Sequence, residues 1–231
     1  LQKLRDIGAD ENTIVILASD HGSWRKGKST LYDGGMRVPL IVAGASIPAA
    51  PRLSNAFAFV TDITPTILDM AGVSPPASHY GGRPVEPVSG RSLLPLIRGD
   101  VEAAYSPTDI TGYELGGNAA LFQGDYKIVL NIPPVGGNTW HLYNIVADPG
   151  ETRDLSQQMP ERFQQMRTLY QDYAAANGVL PVPAHYNATA QGIFNGVLDR
   201  FGAQILLALL AFVTLVPFYI AYRVRRRQSE Q

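Results

Sequence analysis

The sequence predicts an α/β fold, followed by a small antiparallel sheet with a helix and then by one C-terminal transmembrane helix. Three observations support this architecture. In the first half of the chain, short apolar runs rich in β-branched residues alternate with helical patterns, as in layered α/β domains. Two strand-like runs joined by a turn-rich segment follow. A stretch of 22 uncharged residues lies near the end.

The composition excludes some classes of function. The 231 residues contain no cysteine, so disulfide frameworks and thiolate metal sites are impossible within them. The formal charge of −1 gives no indication of nucleic-acid binding, and no nucleic-acid partner is expected. The first ten residues, LQKLRDIGAD, look like the end of a helix stopped by Gly8, and they contain no apolar signal segment.

Two candidate strands and a helix organise the first half. Residues 13–19 (TIVILAS) and 38–44 (VPLIVAG) are apolar runs typical of strands buried on both faces of a parallel sheet. Residues 62–71 (DITPTILDMA) predict a helix that Asp62 can cap and that Gly72 ends.

Chemically active side chains follow the first candidate strand. Asp20 and His21 come at its carboxyl end, where open α/β sheets bind ligands, and carboxylate and imidazole both bind divalent metals. Lys28 could bind an anionic oxygen beside that metal. Gly34 and Gly35 would let the chain turn tightly into the second strand. From the residues alone, the Asp-His pair and the lysine could equally be ordinary loop residues.

The second half predicts a small sheet and a helix. Residues 121–132 and 139–146 are strand-like runs separated by the turn-rich residues 133–138, which indicates an antiparallel sheet. Residues 160–176 carry aromatic and methionine side chains at helical spacing, as expected for a helix packed on that sheet. Residues 178–200, with prolines and many small or polar side chains, predict a linker.

Residues 201–222 predict a transmembrane helix, and the lipid bilayer is therefore an expected partner. At about 1.5 Å per residue they cover about 33 Å, enough for a hydrocarbon core of about 30 Å. A buried core helix would rarely be apolar on all sides for this length. Arginines dominate the basic tail at 223–231, so the positive-inside rule places that tail in the cytoplasm. We expect a single-pass protein of the inner (plasma) membrane, with its main domain periplasmic or extracytoplasmic.

Several segments of the sequence, taken in order along the chain, resemble those of one protein family. The runs TIVILASDHG and GKSTLYDGGMRVPLIV resemble the second half of a sulfatase of the arylsulfatase type, a member of the alkaline-phosphatase-like superfamily. Further matches follow in the family's order: FVTDITPTILDMAGV, VSGRSLLPLIRGD, GDYKIVL and WHLYNIVADPGETRDLS. The resemblance covers about residues 1–176. It implies that residues 1–115 form the C-terminal part of the sulfatase core domain and residues 116–177 the small sheet and helix.

The resemblance implies roles for three residues. Asp20 matches the family's metal-ligating aspartate, and His21 stands where many members have asparagine and some have histidine. Lys28 matches the catalytic-site lysine that contacts the sulfate, and Lys26 is the next candidate. The implied metal is calcium, although the imidazole leaves room for another divalent ion. Such an ion, with the lysine as an anion clamp, would stabilise the charge that develops as a sulfate ester is cleaved.

The family's nucleophile is missing from these residues. It is a formylglycine made from the first residue of Cys/Ser-x-Pro-x-Arg, and no serine here has proline and arginine at the second and fourth following positions. We therefore expect the C-terminal portion of a membrane-anchored sulfatase that is inactive alone, with the formylglycine in an upstream segment. One alternative is a phosphonate or phosphate ester hydrolase of the same superfamily. The other is a non-catalytic, membrane-anchored binding domain.

Overall fold

The structure is a computed structural model that describes residues 1–22, 27–45, 47–48, 50, 52–183 and 186–229. Within these residues, the helices are α1 (Gln2–Asp6), α2 (Asp33–Met36), α3 (Ile63–Met70), α4 (Leu94–Arg98), α5 (Pro160–Ala176) and α6 (Ala188–Ser229). The strands are β1 (Ile14–Ala18), β2 (Leu40–Gly44), β3 (His79–Tyr80), β4 (Arg83–Pro84), β5 (Ile110–Leu115), β6 (Asn118–Gln123), β7 (Tyr126–Leu130) and β8 (Trp140–Asn144). The chain divides into one unit at residues 1–180 and a second from residue 181 onward.

Strands β1 and β2 pair antiparallel, with Ile16 opposite Val42. The prediction of parallel strands buried on both faces is therefore wrong. Parallel neighbours need a crossover connection, usually a full helix. The described part of this connection contains only the four-residue helix α2, after which the chain returns alongside β1. Leu17 and Ile41 remain 59% and 53% exposed.

Helix α3 ends as predicted but begins differently. Gly72 has a φ of +67° just past its end, in the left-handed region that glycine adopts at helix C-termini. Asp62 precedes the helix, but among the described residues its carboxylate does not cap it. It accepts hydrogen bonds from the N–H groups of Phe59 (2.7 Å) and Arg91 (2.8 Å) and from the hydroxyl of Tyr105 (2.6 Å). This buried carboxylate therefore ties together three segments of the first unit.

The second half of this unit contains a four-stranded antiparallel sheet in the order β5-β6-β7-β8. The run at 121–132 is not one strand, because Gly124, with a φ of +56°, makes the turn between β6 and β7. The domain boundary predicted after residue 115 falls inside the β5–β6 hairpin. Its turn is formed by Gly116 and Gly117, both with positive φ (57° and 94°), as tight two-residue hairpins require.

Both faces of the four-stranded sheet are covered, because alternate residues of a strand point to opposite faces. One face packs against α5 through the buried residues Leu121, Ile128, Leu142 and Met166. The other face packs against the segment that follows β1 through the buried residues Leu31, Ala120, Val129 and Tyr143. The predicted helix on the sheet is confirmed by α5, and the second covering layer was not predicted.

The second unit contains α6, a helix of 42 residues. It begins at Ala188, inside the predicted linker, whose own prolines, Pro181 and Pro183, both precede the helix. Residues 190–223 of this helix are long and apolar enough to cross a bilayer, and their most apolar stretch is not buried against other described residues. The predicted span at 201–222 lies within this segment, and α6 also contains Pro217.

Candidate active site

Asp20 and His21 lie in the loop that leaves the carboxyl end of β1, and their side chains are close together. Nε2 of His21 is 3.6 Å from Oδ2 of Asp20, with side chains 36% and 86% exposed. Nδ1 of His21 is 2.7 Å from the carbonyl oxygen of Gly22. Because a carbonyl oxygen only accepts, Nδ1 carries the proton. In the neutral ring, Nε2 then presents its lone pair on the side of the carboxylate.

This pair fits two neighbouring ligands of a divalent ion. Two atoms that each lie about 2.4 Å from a calcium ion, about a right angle apart, are about 3.4 Å from each other. The observed separation is 3.6 Å. A metal-bound histidine also normally donates its other ring N–H to a carbonyl or carboxylate, as His21 does to Gly22. In the described ranges, no three His, Asp or Glu residues form a metal-binding group, so the pair would supply part of a ligand set.

Glycines bring the loop after β1 against helix α2. The N–H of Gly22 donates to the carbonyl of Gly35 at 3.1 Å. A Cβ on Gly35 would lie 2.2 Å from the carbonyl oxygen of Gly27, and a Cβ on Gly27 would lie 1.9 Å from that of Gly34. Gly34 and Gly35 were predicted to supply a tight turn, but both lie within α2. Gly35 is required because the backbones approach too closely for any side chain.

Lys28 is an exposed residue of a tight turn between the buried Gly27 and Thr30. The backbone N–H and the hydroxyl of Thr30 both donate to the carbonyl of Gly27, each at 2.8 Å. Ser29 has a φ of 72°, a conformation that few residues other than glycine adopt. The approach of the Lys28 ammonium to the Asp20–His21 pair stays a prediction. Lys26, the other candidate, lies outside the described residues.

Three buried side chains from the second half of the unit hold the backbone of the segment that begins at Lys28. None of the three was predicted from the sequence as a functional residue. The contacts run from Asn118 Nδ2 to the Ser29 carbonyl (2.9 Å), from the Leu31 N–H to Asn131 Oδ1 (2.9 Å), and from the Asp33 N–H to Glu151 Oε2 (2.6 Å). For Asn118 and Asn131 the available signal was a polar residue at the end of an otherwise apolar strand, which does not say what that residue binds. Glu151 lies in the loop between β8 and α5, within the segment WHLYNIVADPGETRDLS that carries the family resemblance.

Glu151 also forms a buried ion pair. Its Oε1 accepts a hydrogen bond from Nζ of Lys127 at 2.5 Å, and the Lys127 and Glu151 side chains are only 2% and 1% exposed. Burial lowers the pKa of the Lys127 ammonium, and the charge and hydrogen bond of the carboxylate oppose that shift. Nζ also lies 5.2 Å from the ring centre of Phe122, a favourable position for a cation. The pair leaves neither buried charge without a partner.

The fold and the loop after β1 define an α/β domain of the alkaline-phosphatase-like superfamily. A solved structure, a putative sulfatase from Bacteroides thetaiotaomicron VPI-5482, matches with a TM-score of 0.60 and 26% identity, covering 78% of this chain and 40% of that one. The family model described as Sulfatase matches residues 1–73. The chain belongs to the sulfatase family.

Curated relatives extend the similarity beyond the segment that the family model matches. An uncharacterized sulfatase of Schizosaccharomyces pombe is 31% identical over 172 residues, which covers 74% of this chain and 30% of the relative. Arylsulfatase K of Danio rerio is 28% identical over 183 residues, covering 72% of this chain and 32% of its own length. The chain thus spans about a third of the length of these relatives.

Proposed function

We propose that this chain supplies two metal ligands and a sulfate-binding lysine to a membrane-anchored sulfatase that hydrolyses sulfate esters. The observation that carries the proposal is the orientation of His21. Its Nδ1–H is held by the Gly22 carbonyl, and its Nε2 lies 3.6 Å from the carboxylate of Asp20. A histidine prepared in this way beside a carboxylate, at the end of a sheet strand, suits a divalent cation.

In this proposal Asp20 and His21 hold the cation, and calcium is the ion that the family resemblance favours. When bound, such an ion would stabilise negative charge on the oxygens of the sulfate group. Lys28 binds a nonbridging sulfate oxygen through its ammonium, which offers three hydrogen-bond donors and a point charge. Its exposed position leaves the side chain accessible to an anionic substrate.

No residue of this chain fits the formylglycine nucleophile of the family. The 231 residues contain no cysteine, and no serine has proline and arginine at the required positions. We infer that the nucleophile lies on a segment of the protein outside these residues. The length of the relatives, of which the chain spans about a third, supports this inference. The coding sequence upstream should contain Cys/Ser-x-Pro-x-Arg in frame.

The test of the proposed function is hydrolysis of an aryl sulfate by the complete protein, including any segment that precedes these residues in the cell. Lys28→Ala should lower turnover about 100-fold or more, the range seen when a charge-stabilising donor is removed from an active site. Lys3→Ala, on exposed helix α1, is the matched control and should leave turnover unchanged. Full turnover by Lys28→Ala would refute the assigned role. Faster cleavage of an aryl phosphonate than of the aryl sulfate would favour a different ester specificity.

We also propose that residues 201–222 cross the inner (plasma) membrane, with the sulfatase domain periplasmic or extracytoplasmic. The uncharged segment within α6 and the arginines that follow it support this orientation. Arginine at the bilayer centre costs about 2.5 to 3.5 kcal/mol on insertion scales, so the basic tail stays in the cytoplasm. A tag after residue 231 should resist protease added to intact cells or spheroplasts. Cleavage of that tag, with the domain protected, would reverse the topology.

A further inference from the structure

The turn that carries Lys28 has a backbone conformation that needs outside support. Ser29, the next residue, has a φ of 72°, and such strained residues persist only where surrounding contacts hold them. The local hydrogen bonds from Thr30 to the Gly27 carbonyl close the turn on itself. They do not attach it to the rest of the unit, so its position must be set by other contacts.

Those contacts come from residues far away in sequence, and they bind the backbone of every second residue from Ser29 to Asp33. Asn118 binds the carbonyl of Ser29, Asn131 binds the N–H of Leu31, and Glu151 binds the N–H of Asp33. Between them, the Leu31 side chain is completely buried against the sheet with Ala120, Val129 and Tyr143. The segment is therefore fixed through both its backbone and its apolar side chain.

Two of the supporting side chains are themselves held in place. Asn118 accepts a hydrogen bond from the Ile132 N–H at 2.8 Å through Oδ1, while its Nδ2 reaches Ser29. Glu151 uses one carboxylate oxygen for Lys127 and the other for the Asp33 N–H. A group whose second polar atom is bound elsewhere has little freedom to follow the turn if the turn moves. These side chains thus hold the backbone next to Lys28 in one position relative to the sheet.

We propose that Asn118, Asn131 and Glu151 are positioning residues for the sulfate-binding lysine, a role that rests on the function proposed above for Lys28. They do not touch the substrate in this account. They set the place from which the Lys28 ammonium meets the sulfate group, and a displacement of about 1 Å in such a group can cost about 100-fold in rate. The four-stranded sheet is then part of the catalytic apparatus.

A double-mutant cycle in the complete enzyme tests this role. Asn131→Ala should lower kcat/KM for an aryl sulfate about tenfold or more. In the Lys28→Ala background the same substitution should change kcat/KM less than about twofold, because residues that act as one unit are not additive. Asn144→Ala is the matched control, since Asn144 also accepts backbone N–H bonds, from Val146 and Ala147, but none from the lysine turn. It should leave kcat/KM unchanged in both backgrounds.

A second measurement reports on the turn without using activity. Amide hydrogen exchange at residues 28–33 should become faster in Asn131→Ala and stay unchanged in Asn144→Ala. If Asn131→Ala does not fold, Asn118→Ala provides the same cycle and the same exchange measurement. Equal losses of kcat/KM with and without Lys28 would overturn the positioning role while leaving the function of Lys28 intact. A Lys28→Ala enzyme with full turnover would overturn both proposals.

Discussion

The carboxylate of Glu151 accepts a hydrogen bond from the backbone N–H of Asp33, 118 positions earlier in the chain, at 2.6 Å. Its other oxygen binds the buried ammonium of Lys127. The loop between β8 and α5 is therefore connected, through the Glu151 side chain, to the segment that carries Lys28. We expect this buried charge to stabilise the fold and, if Lys28 binds sulfate as proposed, to help place that lysine.

Removing one partner of this ion pair should destabilise the protein strongly. Glu151→Leu leaves the buried Lys127 ammonium without its partner, and breaking a buried pair in this way costs about 3 to 5 kcal/mol. Denaturant unfolding of the complete protein measures the loss. Glu102→Leu breaks the exposed pair with Arg52 and should cost less than about 1 kcal/mol. A Glu151→Leu protein as stable as Glu102→Leu would contradict the assigned role of the pair.

The double variant Lys127→Met/Glu151→Leu separates the effect of the buried charges on stability from the effect of the Glu151 hydrogen bond on activity. It removes both buried charges, and replacing a whole buried pair by apolar residues of similar volume is often close to neutral. We expect it to recover most of the stability that Glu151→Leu loses. It should not recover kcat/KM, because the hydrogen bond to the Asp33 N–H is still missing. If both the stability and kcat/KM were recovered, Glu151 would act only by compensating the charge of Lys127, and its hydrogen bond to the Asp33 N–H would not contribute.

The neighbouring glycines of α2 should respond differently to a single methyl group. Gly35→Ala puts a Cβ 2.2 Å from the Gly27 carbonyl oxygen, whereas Gly34→Ala meets nothing within 4 Å. Overpacking of this kind costs about 1 to 3 kcal/mol. We expect Gly35→Ala to lower the unfolding temperature and the aryl sulfatase rate, and Gly34→Ala to be neutral or slightly stabilising. Equal effects at the two positions would mean that the loop after β1 does not approach α2 this closely.

Calcium binding should depend on both members of the candidate metal pair. Asp20→Ala and His21→Ala each remove a ligand, so each should weaken calcium affinity by more than the 10- to 100-fold typical of groups that only support a ligand. Isothermal titration of the complete protein measures the change. His79→Ala, at an exposed position of β3, controls for the loss of an imidazole elsewhere. Unchanged affinity in both site variants would remove the metal assignment.

Acid should destabilise the protein partly through Asp154. Partial burial acts to raise the pKa of this carboxyl, but hydrogen bonds from the Ser156 N–H, from His141 and from the Leu142 N–H outweigh it and hold the pKa below its usual value. A depressed pKa contributes stability above the unfolded value of about 3.9, and this contribution is lost as the pH falls through the folded value.

The corresponding measurement is the thermal midpoint between pH 6 and pH 3. Asp154→Asn keeps the size of the side chain but cannot ionise, so its midpoint should fall less steeply with acid than that of the unmodified protein. The difference between the two curves should begin to narrow as the pH falls below the unfolded value of about 3.9, because the contribution of the native carboxylate is lost from that point downward. Parallel curves over the whole range would show that Asp154 does not carry this part of the pH dependence.

The sequence correctly predicted those helices and strands that are defined by a pattern over a few neighbouring residues. The helical spacing at 160–176 corresponds to α5, and Gly72 ends α3. Strands β1 and β2 were also located, because an apolar run bounded by polar residues is visible over a few positions. Their relative direction was predicted wrongly, since direction depends on the path of a connection that carries little periodic signal.

The candidate site was only partly predictable, because some of its residues are close together in sequence and others are far apart. Asp20, His21 and Lys28 stand close together in sequence and carry recognisable chemistry. The residues that hold the lysine turn do not: Asn131 meets the Leu31 N–H across 100 positions. A polar residue near the end of an apolar strand indicates only that some partner exists. Which backbone group it binds follows from how the sheet packs over the turn.

The distance in sequence between the lysine turn and its supports has a consequence during synthesis. The turn leaves the ribosome before the sheet that fixes it, and the Glu151 carboxylate is made 118 residues after Asp33. At about 5 to 20 residues per second, this interval lasts roughly 6 to 24 s. During that time the segment carrying Lys28 has neither the sheet residues that bury Leu31 nor its long-range hydrogen-bond partners. A growing chain can therefore fix the position of Lys28 only after the four-stranded sheet has emerged, so the turn that carries Lys28 folds late relative to its own synthesis.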